Sequence, residues 1–439
     1  MTAVTIPPLN DNTNGWSRIL PPRQPKPALD RDLVVDWVVV GAGQVGLAAA
    51  RRLAENRPGD SIALVEAGTA GEGAQGRNAG FIIDSPHNVG SSLGELSAAR
   101  DYVTLARTAI ASLEEQVRKY DIQCDWDPVG KLHTAVSPLG IKEILEPTRK
   151  VLDALKEPYT WLEGKALHER IGFKHFSTGI YTPGSVLVNP AALSRGLADN
   201  LPTNVTFYEN TPVTEAQFSP EIRLTTPHGT IRAGKLIIAV SVFAGQFGVL
   251  RNRLIPLSAC GSLTRQLTEE EQSRLEGSRS WGLTPANAFV GATVRRTRDQ
   301  RILIRQDMRY WPQLRRDSAS YKPISEHHQE LFDRWFPALK GVTIENTWSG
   351  YICISRNDGA GFGEVAPDVY TAVCDNGLGW TKGTISGLLI ADKASGTDNP
   401  LIATYEAIGQ PSRLPPRPFL DVGVSARFSW ELWRHRREA

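Results

Sequence analysis

Three clusters of glycine mark where this chain could hold a ligand by its backbone. The first is Gly41-Ala42-Gly43-Gln44-Val45-Gly46, a G-x-G-x-x-G spacing. There the first glycine allows a tight turn, the second lets backbone approach a pyrophosphate, and the third lets a helix pack closely on a strand. Glu66, followed by Ala67, comes 20 residues after Gly46, where a carboxylate can accept a ribose hydroxyl. Together these read as a dinucleotide site, without deciding between nicotinamide and flavin. The second cluster is Gly68, Gly71, Gly73, Gly76 and Gly80, enclosing Ala74, Gln75, Arg77, Asn78 and Ala79. Glycine at this density suits backbone lying against something flat or phosphorylated, although an ordinary loop is the plainer alternative. The third is Asn376-Gly377-Leu378-Gly379-Trp380-Thr381-Lys382-Gly383, running into a helix at Thr384–Ala394. A helix N-terminus with Lys382 beside it favours negative charge.

Other side chains offer chemistry of their own. In Arg301-Ile302-Leu303-Ile304-Arg305, strand alternation puts both arginines on one face, and a guanidinium fork suits a carboxylate. Arg305 is the stronger candidate ligand and Arg356 a second, with a solvated arginine as the plain reading of each. Trp348, Tyr351, Tyr310 and Trp380 could form an aromatic wall, although core packing is the commoner use of such residues. His327-His328 have no third ligand at recognisable spacing, so no metal is expected. Cys124, Cys260, Cys353 and Cys374 are far apart and form no C-x-x-C pair, which fits a reducing compartment and a cytoplasmic location.

The elements that must position these groups follow from periodicity. Leu33–Val40 is an almost continuous apolar run suited to a strand buried on both faces, followed by a helix over 47–56 and a strand over 61–66. Residues 1–32 form a Pro-rich extended arm laid over the surface. An amphipathic helix is expected over 91–120, with short strands and helices over 121–185 and Pro147 interrupting a helical pattern. Further expected elements are a helix from Asn189-Pro190, strands at 205–208 and 236–240, a second block at 255–345, and a strand, turn and helix over 368–395. The fold class is α/β with α+β insertions: a Rossmann-like dinucleotide-binding domain (33–120, 186–254, 346–400) interleaved with a mixed-sheet substrate-binding domain (121–185, 255–345). The tail is 401–439.

The chain has 439 residues, 41% of them hydrophobic, and a net charge of +2, which fits a globular protein and argues against nucleic acid as partner. No apolar stretch is long enough to span a membrane. Residues 424–439, with Phe428, Trp430 and Trp433 among arginines, resemble a basic amphipathic helix that could touch a membrane surface.

The order G-A-G-x-x-G, E-A, G-A-x-G-R-N-x-G and a terminal N-G-x-G-W-T-x-x-x-x-S-G resembles the D-amino-acid-oxidase-like FAD-dependent oxidoreductases. Within them it is most similar to the gamma-glutamylputrescine and L-pipecolate oxidase branch. The resemblance implies FAD, with Gly41, Gly43, Gly46, Glu66 and Ala67 on its ADP half; no motif demands covalent attachment through Cys353 or a histidine, so non-covalent FAD is expected. The resemblance places Gly73, Ala74, Gly76, Arg77, Asn78, Ala79 and Gly80 near the pyrophosphate and isoalloxazine, and Val213 on the adenine side. Gly350, Gly377, Gly379, Trp380, Thr381 and Lys382 would lie on the flavin side. The implied reaction oxidises a C–N bond of an amine or amino acid, hydride passing to flavin N5 and an imine forming. Candidate substrates are L-pipecolate and gamma-glutamylputrescine, and Arg305, Tyr351, Arg356, Lys382 and Trp348 are the candidate substrate-side residues. Electrons would leave to O2 or, in a dehydrogenase, to a membrane quinone. A flavin-binding partner protein without turnover and a nicotinamide-only dehydrogenase are the other readings.

Overall fold

Alternate residues of Leu33–Val40 enter different cores: Val39 packs into one apolar cluster, Val38 and Val40 into another. That is how a strand covered on both sides uses a continuous apolar run. The computed structural model describes residues 2–8, 10–86, 96–315 and 318–439. In it, Leu33–Val40 is the middle of five parallel strands, in the order Val205–Tyr208, Ile62–Val65, Leu33–Val40, Gly229–Ile238 and Val369–Val373. Antiparallel strands extend these to a nine-stranded sheet. The helices Gln44–Asn56 and Thr384–Ser395 pack together on one side of it, at small residues. A methyl group on Gly387 would stand 2.3 Å from the Val45 carbonyl oxygen.

A second, eight-stranded sheet runs in the order Ile344–Ile354, Ile255–Thr264, Ile302–Tyr310, Thr293–Arg296, Trp281–Pro285, Lys131–Ala135, Thr178–Thr182, Thr160–Glu163. Its neighbours are antiparallel except for Trp281–Pro285 beside Lys131–Ala135. One face buries Leu132, Leu283, Val294, Ile302 and Ile304 with Phe332 and Trp335 of the helix Lys322–Trp335. The buried Arg295, on Thr293–Arg296, donates from Nη1 to the carbonyls of Ala79, Gly80 and Val188, fixing this sheet to the second glycine-rich segment.

Two sequence expectations change. The boundary placed before residue 346 moves, because Ile344–Ile354 pairs along the whole of Ile255–Thr264 and so belongs to the second sheet. The interruption at Pro147 takes the form of a π-helical turn, Ile141–Leu145, which leads straight into the helix Glu146–Leu155. Pro147 stands directly after the wider turn, where the regular hydrogen-bond spacing is already interrupted. The helix expected over 91–120 is Leu96–Lys119, residues 91–95 lying outside those described. Among the described residues, no helix is long and apolar enough to cross a membrane.

The N-terminal arm is fastened at several points. Thr2–Ala3 pairs with the edge strand Glu215–Gln217, and Gln246 Oε1 accepts the backbone N–H groups of Thr5 and Ile6. Further along, Asn14 Nδ2 donates to the carbonyls of Gly71 (3.0 Å) and Gly76 (3.1 Å), and the Trp16 indole donates to Asn78 O.

Burial pushes the imidazoles of His133, His175 and His328 down from 6.5 to about 3, 4 and 4. The unfolded chain would take up protons that these sites refuse, so stability is lost as pH falls from about 6.5 toward 4. His328 is completely buried, with Nδ1 2.7 Å from Ser262 Oγ, and alone accounts for roughly 3 kcal/mol of that loss. His328→Gln should flatten the decline of Tm across this range in calorimetry. An unchanged slope would assign the acid sensitivity elsewhere.

Candidate active site

The first glycine cluster joins Leu33–Val40 to the helix Gln44–Asn56. Gly41 has φ +97°, and a methyl group on it would meet Ala239 O at 2.6 Å. A methyl on Gly46 would stand 1.7 Å from Gly41 O, so only glycine lets the helix sit down on the turn. Gly43 differs: it caps the helix in extended backbone, and a methyl there would meet only Gln75 Oε1, at 3.5 Å.

The second cluster repeats this geometry. Gly71 has φ +85°, Gly73 caps a short turn with φ −78° and ψ −173°, and a methyl on Gly76 would stand 1.9 Å from Gly71 O. Gln75 Nε2 donates to Ala42 O at 3.1 Å and so ties the two turns together. The spacing of Gly71, Gly73 and Gly76 is that of Gly41, Gly43 and Gly46, a repeat legible in the sequence but not drawn from it.

The third cluster closes the same space. Gly377 has φ +86°, and Gly379–Gly383 is a π-helical turn ahead of Thr384–Ser395. Methyl groups on Gly379 and Gly383 would reach the Gln44 side chain at 2.8 and 2.5 Å. One cavity is lined by all three clusters, by Glu66, Ala67 and Val213, and by Ala259, Thr284, Thr293, Arg305, Gly350 and Tyr351 of the second sheet and its edge. Ile6, Pro7, Pro8 and Asp11 of the arm also line it.

Of the expected residues, Gly41, Gly43, Gly73, Ala74, Arg77, Asn78, Ala79, Gly377, Gly379, Trp380 and Thr381 line this cavity. Gly46, Gly76 and Gly80 support its walls from behind. Glu66 accepts the N–H groups of Ala42 (2.8 Å) and Gly68 (3.0 Å), and burial raises its pKa. Arg77 spends its guanidinium on protein, bonding Glu72 O, Ser349 O and Asp11. It clamps the arm rather than reaching into open space. Trp380 lines the cavity, and its indole Nε1 is buried without a partner among the described residues.

Four candidates lie elsewhere. Trp348 is in the core, its indole N–H donating to Arg77 O at 2.9 Å and its ring edge-on to Trp16. Arg356 is exposed, because the strand ends at Ile354 and the following loop turns outward. Tyr310 is at the far end of its strand and donates to Asp421 at 2.8 Å. Lys382 is absent from the cavity wall. The π-helical turn directs Trp380 and Thr381 inward, while Lys382 is buried with Nζ 5.7 Å from the Tyr102 ring centroid. Burial lowers its pKa, and Asp358 and Asp375 oppose that.

Arg305 lines the cavity. Among the described residues its side chain donates from Nη1 to Ala288 O at 3.2 Å, and no carboxylate lies within salt-bridge distance. Burial pulls its pKa down to about 10, which leaves it charged at neutral pH. The cavity's own carboxylates are engaged: Asp11 with Arg77 and Tyr321, Glu72 with Arg195, Asp375 with Gly377 N.

Residues 36–393 match the DAO family, described as FAD dependent oxidoreductase. The chain belongs to that family. Among curated relatives, it is 25% identical over 381 residues to gamma-glutamylputrescine oxidoreductase of Escherichia coli K12, covering 85% of this chain and 86% of that one. It is 26% identical over 412 residues to the probable oxidoreductase OrdL of Rhizobium meliloti, covering 90% and 91%. Among solved structures, glycine oxidase from Geobacillus kaustophilus superposes with a TM-score of 0.71 at 20% identity, covering 88% of this chain and all of that one.

The cofactor of this DAO chain is FAD, and the cavity suits it on independent grounds. Two glycine turns of like geometry would present backbone to a diphosphate, and helix Gln44–Asn56 starts at the same cavity. Glu66 is at the end of the adjoining strand, and the third glycine segment supplies a wall against which a flat ring can lie. Asn14, Gln75 and Trp16, which fasten these turns, were not legible in the sequence. They bind carbonyls, which every residue has.

Proposed function

We propose that this DAO protein oxidises the C–N bond of a small amine or amino acid bearing a carboxylate, and that Arg305 holds that carboxylate. The observation that carries this reading is a charged, carboxylate-free guanidinium lining the same cavity as the three glycine segments. Tyr351, Phe243 and Ile352 give the cavity an apolar side, the two rings meeting edge-on at 6.0 Å. Such a wall keeps water out and favours the neutral amine. FAD, when bound, would take up the hydrogen and electron pair leaving the C–H bond beside nitrogen as the C–N single bond becomes an imine. The names of the relatives support an amine or amino-acid substrate, and gamma-glutamylputrescine and L-pipecolate both carry the carboxylate that Arg305 requires.

An anaerobic screen of flavin absorbance tests this. Cyclic imino acids and gamma-glutamyl polyamine conjugates should bleach the flavin, and the same amines without a carboxylate should do so far more slowly. Equal bleaching by both sets would remove the carboxylate from the reading; bleaching by none would leave a flavin-binding protein without amine turnover. Peroxide release under air identifies O2 as acceptor, and reduction of a quinone analogue in its place identifies a dehydrogenase.

A further inference from the structure

The C-terminal helix Phe419–Arg434 carries two apolar faces, and the protein uses one of them. Leu420, Val424 and Phe428 turn inward against Ile255, Leu257, Met308 and Tyr310, with the Phe428 ring 5.2 Å from that of Phe289. At about 100° per residue, Phe419, Val422, Ala426, Trp430 and Trp433 fall together on the opposite side. All five are exposed, Phe419 to 71% and Trp433 to 65%. A packed helix in a soluble protein ordinarily turns its second face polar.

Charge is sorted in the same way. Residues 413–439 hold six arginines and three acids. The acids are held by the body of the protein. Asp421 accepts from Tyr310 Oη, Glu431 from Asn287 Nδ2, and Glu438 from the backbone N–H groups of Val136 and Ser137. The arginines stay exposed: Arg427 and Arg434 flank the Trp430 ring at 4.7 and 5.3 Å while touching Glu431 and Glu143, and Arg413, Arg436 and Arg437 form no ion pair within the described residues. The outward surface therefore combines aromatic side chains with uncompensated positive charge.

We propose that this face docks on an anionic membrane surface, Phe419, Trp430 and Trp433 entering the headgroup region and the arginines meeting lipid phosphates. Tryptophan favours that depth because its ring is apolar and its N–H finds partners there, and arginine reads phosphate through its fork. Electrostatic attraction to anionic lipid adds to the apolar contact, so binding weakens as salt screens it. The proposal is independent of the substrate: none of its residues lines that cavity.

Flotation of the FAD-loaded protein with phosphatidylcholine vesicles containing about 30% phosphatidylglycerol tests it, beside vesicles of phosphatidylcholine alone. The protein should float with the anionic vesicles and be released by high salt. Phe419→Ser with Trp433→Ser should lower the bound fraction about tenfold, while flavin content and turnover with a soluble acceptor stay unchanged. No flotation with anionic vesicles, equal flotation with neutral ones, or flotation that the double variant retains would each overturn the proposal. So would a dimer in light scattering that the double variant converts to monomer without any vesicle binding, since a second copy would then be what covers the stripe.

Discussion

Gly43→Val should yield a folded, colourless protein, while Gly46→Val, three residues away, should not fold to a comparable yield. The difference lies in what a side chain would meet. At Gly46 a methyl group would stand 1.7 Å from the Gly41 carbonyl oxygen, and backbone in a strand-to-helix turn cannot withdraw. The expected loss is about 4 kcal/mol or more, a Tm lower by roughly 4 °C or more. At Gly43 the nearest atom is Gln75 Oε1 at 3.5 Å, an ordinary contact, and the backbone is extended, which valine accepts. The valine methyl groups would instead stand in the space between the two glycine turns. The apo forms of wild type and Gly43→Val should melt within about 2 °C of each other, and flavin per chain should drop at least about tenfold. Apo protein is the necessary comparison, because bound cofactor itself raises Tm. Wild-type flavin content in Gly43→Val would end the assignment of this turn to the diphosphate.

Arg305→Ala should raise KM for a carboxylate substrate by about 10- to 100-fold, the range of a charge-assisted hydrogen bond in a buried site, and change kcat much less. Flavin content should hold, since none of the glycine turns depends on Arg305. Stability separates a ligand from a structural arginine. A half-buried guanidinium beside a single carbonyl contributes little to the fold, so its removal should not lower Tm. A structural arginine such as Arg295, with three backbone carbonyls on one nitrogen, should give the reverse: lost stability. Arg305→Lys keeps the charge but loses the fork, and should fall between wild type and alanine. A change in KM below about twofold for Arg305→Ala would exclude it as the carboxylate partner.

The glycine segments were legible because each requirement is local. A turn with φ near +90° or a carbonyl 1.7 Å from a Cβ admits one residue type, and that choice shows in the sequence. Arg305 was legible for a similar reason, since strand alternation alone fixes its face. Arg356, Tyr310 and Lys382 were placed too close to the cavity because their positions depend on where an element ends, whereas Trp348, mid-strand, turns into the core against Trp16. The strand stops at Ile354, so Arg356 leaves with the loop; a π-helical turn rather than an α-helical one sets the direction of Lys382. The boundary at residue 346 failed likewise, since the choice of partner strand for Ile344–Ile354 is made by Ile255–Thr264, some ninety residues earlier.

The five parallel strands have a consequence for synthesis. The strand Leu33–Val40 leaves the ribosome early, but Gly229–Ile238 must pair beside it, and Val369–Val373 must pair beside that before the third glycine segment can close on Gln44. Contacts of such separation form late, after their loops have been closed at an entropic cost. A nascent chain ending before about residue 384 therefore has one wall of the cavity missing, however well its first turns are formed. The full cavity exists only once the two ends of the chain have met.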